Sequence, residues 1–340
     1  MTYQEVLQNA RKNMAPNCRV CRECNGVACR GEIPGTGGKG IGNAFTVNYE
    51  YLQKIKINMD TIYENQGQDS SVSLFGKTFA APVFAAPISG MNSNYNGYLT
   101  ERTYAEALVP GCAKTGCAAF TGDGAPEHFF TDPLDSVKAV RGLAVPTIKP
   151  WAKETVYEKM KLAIDAGAMA IAMDIDAAGL PFLAAAGKPV CSKSVEELAE
   201  IAANVPVPFL LKGIMTVAGA KKAAQCGAYG IIVSNHGGRV IDNTPATMEV
   251  LQEIRAQFGS ELRIFVDGGF RTGHDVFKAL AFGADAVLIG RPYVVAACGG
   301  GEEGVALYTQ KIIFELQEAM KMTGCAAIRD ITYDKVRITK

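Results

Sequence analysis

An α/β fold of the TIM (β/α)8 barrel type, carrying an N-terminal Cys-rich extension, is predicted by three observations. Eight short apolar runs alternate with amphipathic stretches from about Pro82 onward. Most of those stretches close on glycine, the residue favoured just past a helix C-terminus. The alternation fills the roughly 250 residues that such a barrel needs. An open doubly wound sheet uses the same units, but it would show G-x-G-x-x-G after its first strand. Here the first strand is followed by SGMNSNYNG, which does not fit.

The apolar runs are PVFAAPIS (82–89), AAFTG (118–122), VPTIKP (145–150), AMAIAMDID (168–176), PFLLKG (208–213), GIIVSN (230–235), RIFVDGG (263–269) and AVLIGRP (286–292). Continuous apolar runs, rather than alternating ones, mark strands buried on both faces of a parallel sheet. Between them, ETVYEKMKLAIDAGA places Val156, Met160, Ala163 and Ile164 on one helical face and stops at Gly167. VEELAEIAANV, TVAGAKKAAQCG, ATMEVLQEIRAQFG and HDVFKALAFG repeat the design. GGGEEG (299–304) reads as a turn starting the last helix, IIFELQEAMKM. Ahead of the barrel lie a cysteine cluster, a flexible glycine segment PGTGGKGIGN (34–43) and a polar helical stretch around Val47 to Lys56. TIYENQGQDSSVSLFGKTF then predicts a short hairpin under the barrel bottom. Two units follow: residues 1–45, holding the cysteines, and the barrel over 46–340.

Composition narrows the function. Hydrophobic residues at 48% and charged residues at 20% allow a sizeable core and exclude wholesale disorder. Lys plus Arg and Asp plus Glu both number 34, which argues against a dedicated nucleic-acid or anionic-membrane binder. No run approaches the roughly 20 apolar residues of a membrane span, and the N-terminal MTYQEVLQNARKNM has no apolar core of a secretory signal. A cytoplasmic protein is expected. Ten cysteines in a chain this long do not form a disulfide framework.

Chemistry in a barrel collects at the C-terminal ends of its strands. Those ends carry Ser89, Thr121, Lys149, Asp174, Asp176, Lys212, His236, Arg239, Asp267, Arg271 and Arg291. The most telling stretch is SNHGGR, Ser234 to Arg239. A histidine takes a proton near neutral pH, an arginine grips a carboxylate bidentately, and two glycines let the backbone turn both toward one ligand. His128 reads as a surface residue ahead of an entrance one, His274 as solvated or phosphate-adjacent, and Trp151 equally as stacking near substrate or as plain packing.

SNHGGR, together with LLKGI (210–214), VDGGFRTGHDV (266–276) and LIGRP (288–292), resembles the FMN-dependent α-hydroxy-acid oxidase and dehydrogenase family, which includes glycolate and lactate oxidases. The likeness runs from about Ala44 to Ile331. It implies FMN as cofactor, a small 2-hydroxy acid as substrate and a homo-oligomer. His236 then matches the active-site base, Asp176 the carboxylate that orients it and Arg239 the substrate-carboxylate arginine. Lys212 matches the lysine that supports the reduced flavin. Asp267, Gly269 and Arg271, with Gly290 and Arg291, resemble the phosphate and ribityl site. Ala86, Pro87, Ser89, Thr121, Lys149, Asp174 and Ser234 complete the cofactor contacts that the resemblance implies.

The sequence also departs from the family. No tyrosine stands near Pro34 to Gly37, and AAGLPFLAAAGK after Asp176 has Lys188 as its cation where a second arginine is expected. The flavin half of the site is retained and the substrate half rebuilt. Two alternatives stay open: an FMN-dependent isomerase resembling type 2 isopentenyl diphosphate isomerase, and a flavin or metal redox protein without 2-hydroxy-acid activity. Cys18, Cys21, Cys24 and Cys29 follow C-x2-C-x2-C-x4-C, within which four thiolates reach one point. Either a 4Fe-4S cluster or zinc fits that spacing. An iron–sulfur cluster would give reduced flavin an exit toward an electron-acceptor protein.

Overall fold

The computed structural model describes residues 1–180, 183, 187 and 190–339. Each apolar run contributes a barrel strand: β4 (Val83–Ala85), β5 (Ala118–Thr121), β6 (Ala144–Ile148), β7 (Ile171–Asp174), β8 (Phe209–Ile214), β9 (Gly230–Val233), β10 (Arg263–Asp267) and β11 (Ala286–Ile289). All pairings are parallel, and β11 closes on β4 through Val287 opposite Val83. Alternation along each strand sends one set of side chains inward. Phe84, Phe120, Val145, Ala172, Leu210, Ile232, Phe265 and Leu288 fill the barrel interior. Their neighbours, such as Val83, Ala119, Ile171 and Val266, face the helical layer.

The helices start where capping chemistry directs. Ser194 with Glu197, and Thr272 with Asp275, form capping boxes that satisfy the first free N–H groups of the Val195–Ala203 and Gly273–Ala281 helices. The glycine-rich turn 299–304 lies inside a single Arg291–Met322 helix that breaks its dihedrals only at Gly301. It reads as a turn because three consecutive glycines disfavour helix. Packing against α1 (Tyr3–Asn13) overrides that preference, with Val6 fully buried between the two and Tyr3 stacked on Tyr308 at 5.8 Å.

Strands β2 (Val72–Leu74) and β3 (Lys77–Phe79) form the expected hairpin. It plugs the bottom: Phe75 stacks on Phe265 at 5.7 Å and Phe79 meets Phe84 edge-on at 5.0 Å. The polar helical stretch is α2 (Asn43–Lys54), and β1 (Ile55–Ile57) pairs with β12 (Val336–Ile338) to bind the two ends of the chain together. The segment 34–43 is not a loose glycine tether. Lys39 donates its backbone N–H to Gly238 and its ammonium to Gly179 and Val240, and Asp242 accepts from the Ile41 and Ala44 N–H groups.

The aromatic plug yields a stability prediction. Phe84 is fully buried and touches four other rings, so Phe84→Ala should cost about 3–5 kcal/mol. Phe314→Ala, at a position 66% exposed, should cost less than about 0.5 kcal/mol. Urea denaturation monitored by circular dichroism checks both; equal midpoints for the two variants would contradict the plug.

Candidate active site

The strand ends open into a cavity of about 360 Å³ at the C-terminal mouth of the barrel. Of the residues singled out in sequence, Ala86, Pro87, Ser89, Lys149, Asp174, Lys212, His236, Arg239, Asp267, Gly269, Arg271, Gly290 and Arg291 all line it. Asp176, Thr121 and Ser234 do not. Asp176 stands behind His236. Ser234 is buried and accepts the His236 backbone N–H at 3.0 Å, so it shapes the turn rather than the wall. The Thr121 hydroxyl is buried without a hydrogen-bond partner.

At one end of the cavity the charges compensate one another. Lys212 reaches Asp174 at 3.0 Å, and Asp176 and Asp267 at 3.9 Å each. Lys149 reaches the other oxygen of Asp174 at 3.2 Å. Gly213 makes this possible: its φ of +101° produces a bulge in β8, and a side chain there would meet Asp176 at 2.5 Å. Burial works against the charge on Lys212, but the three carboxylates hold its pKa well above the lysine range. Asp174 is likewise disfavoured by burial, yet His236, Lys212 and Lys149 keep it well below the usual carboxylate range. Asp174, Asp176 and His236 converge closely enough for a metal ion. The Lys212 ammonium already supplies the cation there.

His236 places Nδ1 3.0 Å from Asp176 Oδ1 and 3.5 Å from Asp174 Oδ1. A carboxylate on Nδ1 fixes the proton on that nitrogen and leaves Nε2 as the basic lone pair. The turn that presents it is left-handed at His236 (φ 56°) and Gly237 (φ 61°). A side chain at Gly237 would strike Arg291 Nη1 at 2.6 Å. Burial alone would lower the imidazole pKa. The carboxylates Asp174 and Asp176 outweigh it and the opposing charge of Lys212, leaving His236 above its ordinary value.

Three further cations of the cavity lack acidic partners. Arg239 donates through Nη1 to the Gly35 and Gly37 carbonyls and through Nη2 to Asn94 Oδ1. Arg291 donates to the Thr36, Gly37 and Gly237 carbonyls. Arg271 donates to the Cys24 carbonyl at 3.0 and 2.8 Å and to Phe270. Among the described residues none of the three forms a salt bridge. Burial, with Arg291 nearby, pushes Arg239 down to about 10.

Several residues of the site escaped the sequence reading. Asn94 and Tyr95 lie on the short Met91–Tyr95 helix after β4 rather than at a strand end, and both line the cavity with Phe129, Leu180 and Leu183. Asp123 is buried and accepts from the Lys149 backbone, the Trp151 indole at 2.6 Å and the Lys159 ammonium at 2.9 Å. The indole is therefore part of the packing. His128 is exposed, His274 pairs with Glu318 at 3.3 Å, and Lys188 lies outside the described residues.

A family model described as FMN-dependent dehydrogenase matches residues 35–182 and 182–338. A peroxisomal (S)-2-hydroxyacid oxidase of Arabidopsis thaliana is 46% identical over 145 residues, 43% of this chain and 39% of that protein. An L-lactate oxidase of a Roseobacter species is 42% identical over 148 residues, 44% of this chain and 40% of that protein. These matches span about two fifths of the length of the relatives. A mandelate oxidase structure superposes with a TM-score of 0.80 at 24% identity, covering 99% of this chain and 98% of that one. Another, a mutant with a monooxide FMN adduct, gives 0.75 at 26% identity over 91% and 95%. None of these relatives is an isomerase.

The electrostatics predict a titration. The His236 imidazole should titrate above 6.5, and Asp176→Asn, which removes one stabilising negative charge, should lower the midpoint. NMR of the ring signals across pH reads both values. A midpoint that is unchanged or raised in the variant would contradict the assignment of Asp176.

Proposed function

This chain belongs to the FMN-dependent dehydrogenase family, and from that premise we propose that it oxidises a small 2-hydroxy acid to the 2-oxo acid with FMN held in the His236 cavity. The observation that carries the reading is the presence, in one cavity, of a carboxylate-oriented histidine and a buried guanidinium with no acidic partner. A buried unpaired charge is costly and is stabilised by an anionic ligand. The oxidase names of the relatives support the same substrate class.

The residues fit FMN. Asp267 Oδ1 is buried without a partner and suits a ribityl hydroxyl. Gly269 and Gly290 bare their backbone on the cavity wall beside Arg271 and Arg291, the donor set a phosphate dianion requires. Ala86 and Pro87 offer a small apolar surface for a flat ring, with Lys212 and Lys149 along the polar edge. When bound, FMN supplies the acceptor for the α-hydrogen and its electron pair, at N5.

The protein does the rest. Guanidinium carries five N–H groups, and the three hydrogen bonds to Gly35, Gly37 and Asn94 leave two for the substrate carboxylate. His236 Nε2 takes the hydroxyl proton, and Asp176 stabilises the imidazolium that forms. Phe129, Leu180 and Leu183 keep water from the reacting carbon. All ten cysteines are free, which supports a reducing, cytoplasmic compartment. The homo-oligomer remains part of the proposal on family grounds.

Variants test the assignment. His236→Ala should slow flavin reduction by a 2-hydroxy acid about 10²–10⁴-fold while FMN stays bound. Arg239→Lys should chiefly raise KM, because a point charge cannot replace the planar fork. The base must be neutral to accept a proton, so kcat/KM should fall as pH drops through the raised His236 pKa. Stopped-flow absorbance measures all three; reduction at the wild-type rate in His236→Ala would overturn the role given to His236.

A further inference from the structure

We propose that Cys18, Cys21, Cys24 and Cys29 hold a [4Fe–4S] cluster beside the catalytic cavity. All four thiols line one cavity of about 600 Å³, enclosed between α1 and the start of the Arg291–Met322 helix. None is in a disulfide; Cys21 is exposed and the other three are half-buried. The cavity wall carries Arg11, Arg22, Arg271 and Arg291, none with a salt-bridge partner among the described residues, besides Arg19 and Lys311, which pair with Glu32 and Glu315; Glu23 is the carboxylate in the wall itself. Such a wall suits an occupant of negative charge, as four thiolates around a cluster are.

The backbone is bent to serve the sulfurs. Val20 has φ of +44°, a left-handed region that a β-branched residue enters only under strain. In that conformation its N–H donates to Cys18 Sγ at 3.4 Å. N–H bonds to sulfur are among the interactions that set a cluster's potential. The Arg11 guanidinium holds the Val20 carbonyl at 2.9 Å, and Arg271 holds the Cys24 carbonyl.

Sequence spacing favours iron over zinc. The first three follow the C-x2-C-x2-C spacing of bacterial ferredoxins.

The cluster site and the catalytic cavity share Tyr95, Arg271 and Arg291 in their walls, so one layer of side chains separates them. Exposed Cys21 marks the outward side. Oxidation of a 2-hydroxy acid releases two electrons and two protons. The cluster passes one electron at a time, so each turnover reduces two equivalents of a one-electron carrier protein and the cluster returns to its starting state. This role rests on the proposed function for its electron source; the metal site does not.

Anaerobic purification of the full chain, with iron, acid-labile sulfide and zinc analysis, tests the site. Four iron and four sulfide per chain are expected, with an electron paramagnetic resonance signal after dithionite reduction. The double variant Cys18→Ser/Cys21→Ser should lose both iron and signal, retain FMN and retain flavin bleaching by the hydroxy acid, and lose reduction of a one-electron acceptor at least tenfold. Stoichiometric zinc, or no metal and four alkylatable thiols after reconstitution with iron and sulfide, would overturn the proposal. Iron and sulfide present in a protein whose flavin no 2-hydroxy acid reduces would leave the site standing and refute the proposed function instead.

Discussion

The Lys212 ammonium sits almost fully buried at the end of β8, within 3.9 Å of Asp174, Asp176 and Asp267. Removing one such charge from water costs several kcal/mol, and only well-placed opposite charges offset it. The ends of β7, β8 and β10 therefore converge on one point, and His236 after β9 packs against the same group at 3.5 Å. The orientation of the imidazole follows from that convergence: Asp176 is held by Lys212 and in turn holds Nδ1. A neutral residue at 212 would leave three buried carboxylates facing one another. The bulge at Gly213 is the backbone's contribution to this arrangement.

The cavity is polarised as a result. The charged side chains at the ends of β7 and β8 pair with one another, whereas Arg239, Arg271 and Arg291 meet backbone carbonyls and the Asn94 side-chain oxygen instead of carboxylates. Carbonyl dipoles orient a guanidinium without cancelling its charge. Four of those carbonyls, Cys24, Gly35, Thr36 and Gly37, come from the N-terminal segment, which thereby completes the cavity wall; Gly237 and Phe270 supply the others. Arg271, through the Cys24 carbonyl, ties this cavity to the cysteine-lined one.

Much of this was legible in the sequence, because parallel-barrel strands are continuous apolar runs and their ends are where polar residues reappear. SNHGGR stood out because histidine, glycine turn and arginine are contiguous, and the structure brings His236 and Arg239 into one cavity wall. The Lys212–Asp174–Lys149 chain joins three strands and has no local signature. Asn94 and Tyr95 were passed over because they sit on a five-residue helix outside any strand end. The glycines of 34–43 suggested mobility, yet Lys39 and Asp242 fix them through contacts about 200 residues away in sequence. Thr121 and Ser234 have the right residue type at the right strand ends, but their side chains lie outside the cavity wall. That depends on strand twist, which composition does not carry.

The central claim is that one cavity binds both FMN and a 2-hydroxy acid, the acid held by Arg239 and deprotonated by His236. The anaerobic absorption spectrum of the purified protein tests it most directly. The account predicts flavin bands that bleach on addition of a 2-hydroxy acid and stay unchanged with the same acid lacking its hydroxyl. A colourless protein that cannot be reconstituted with FMN would contradict it.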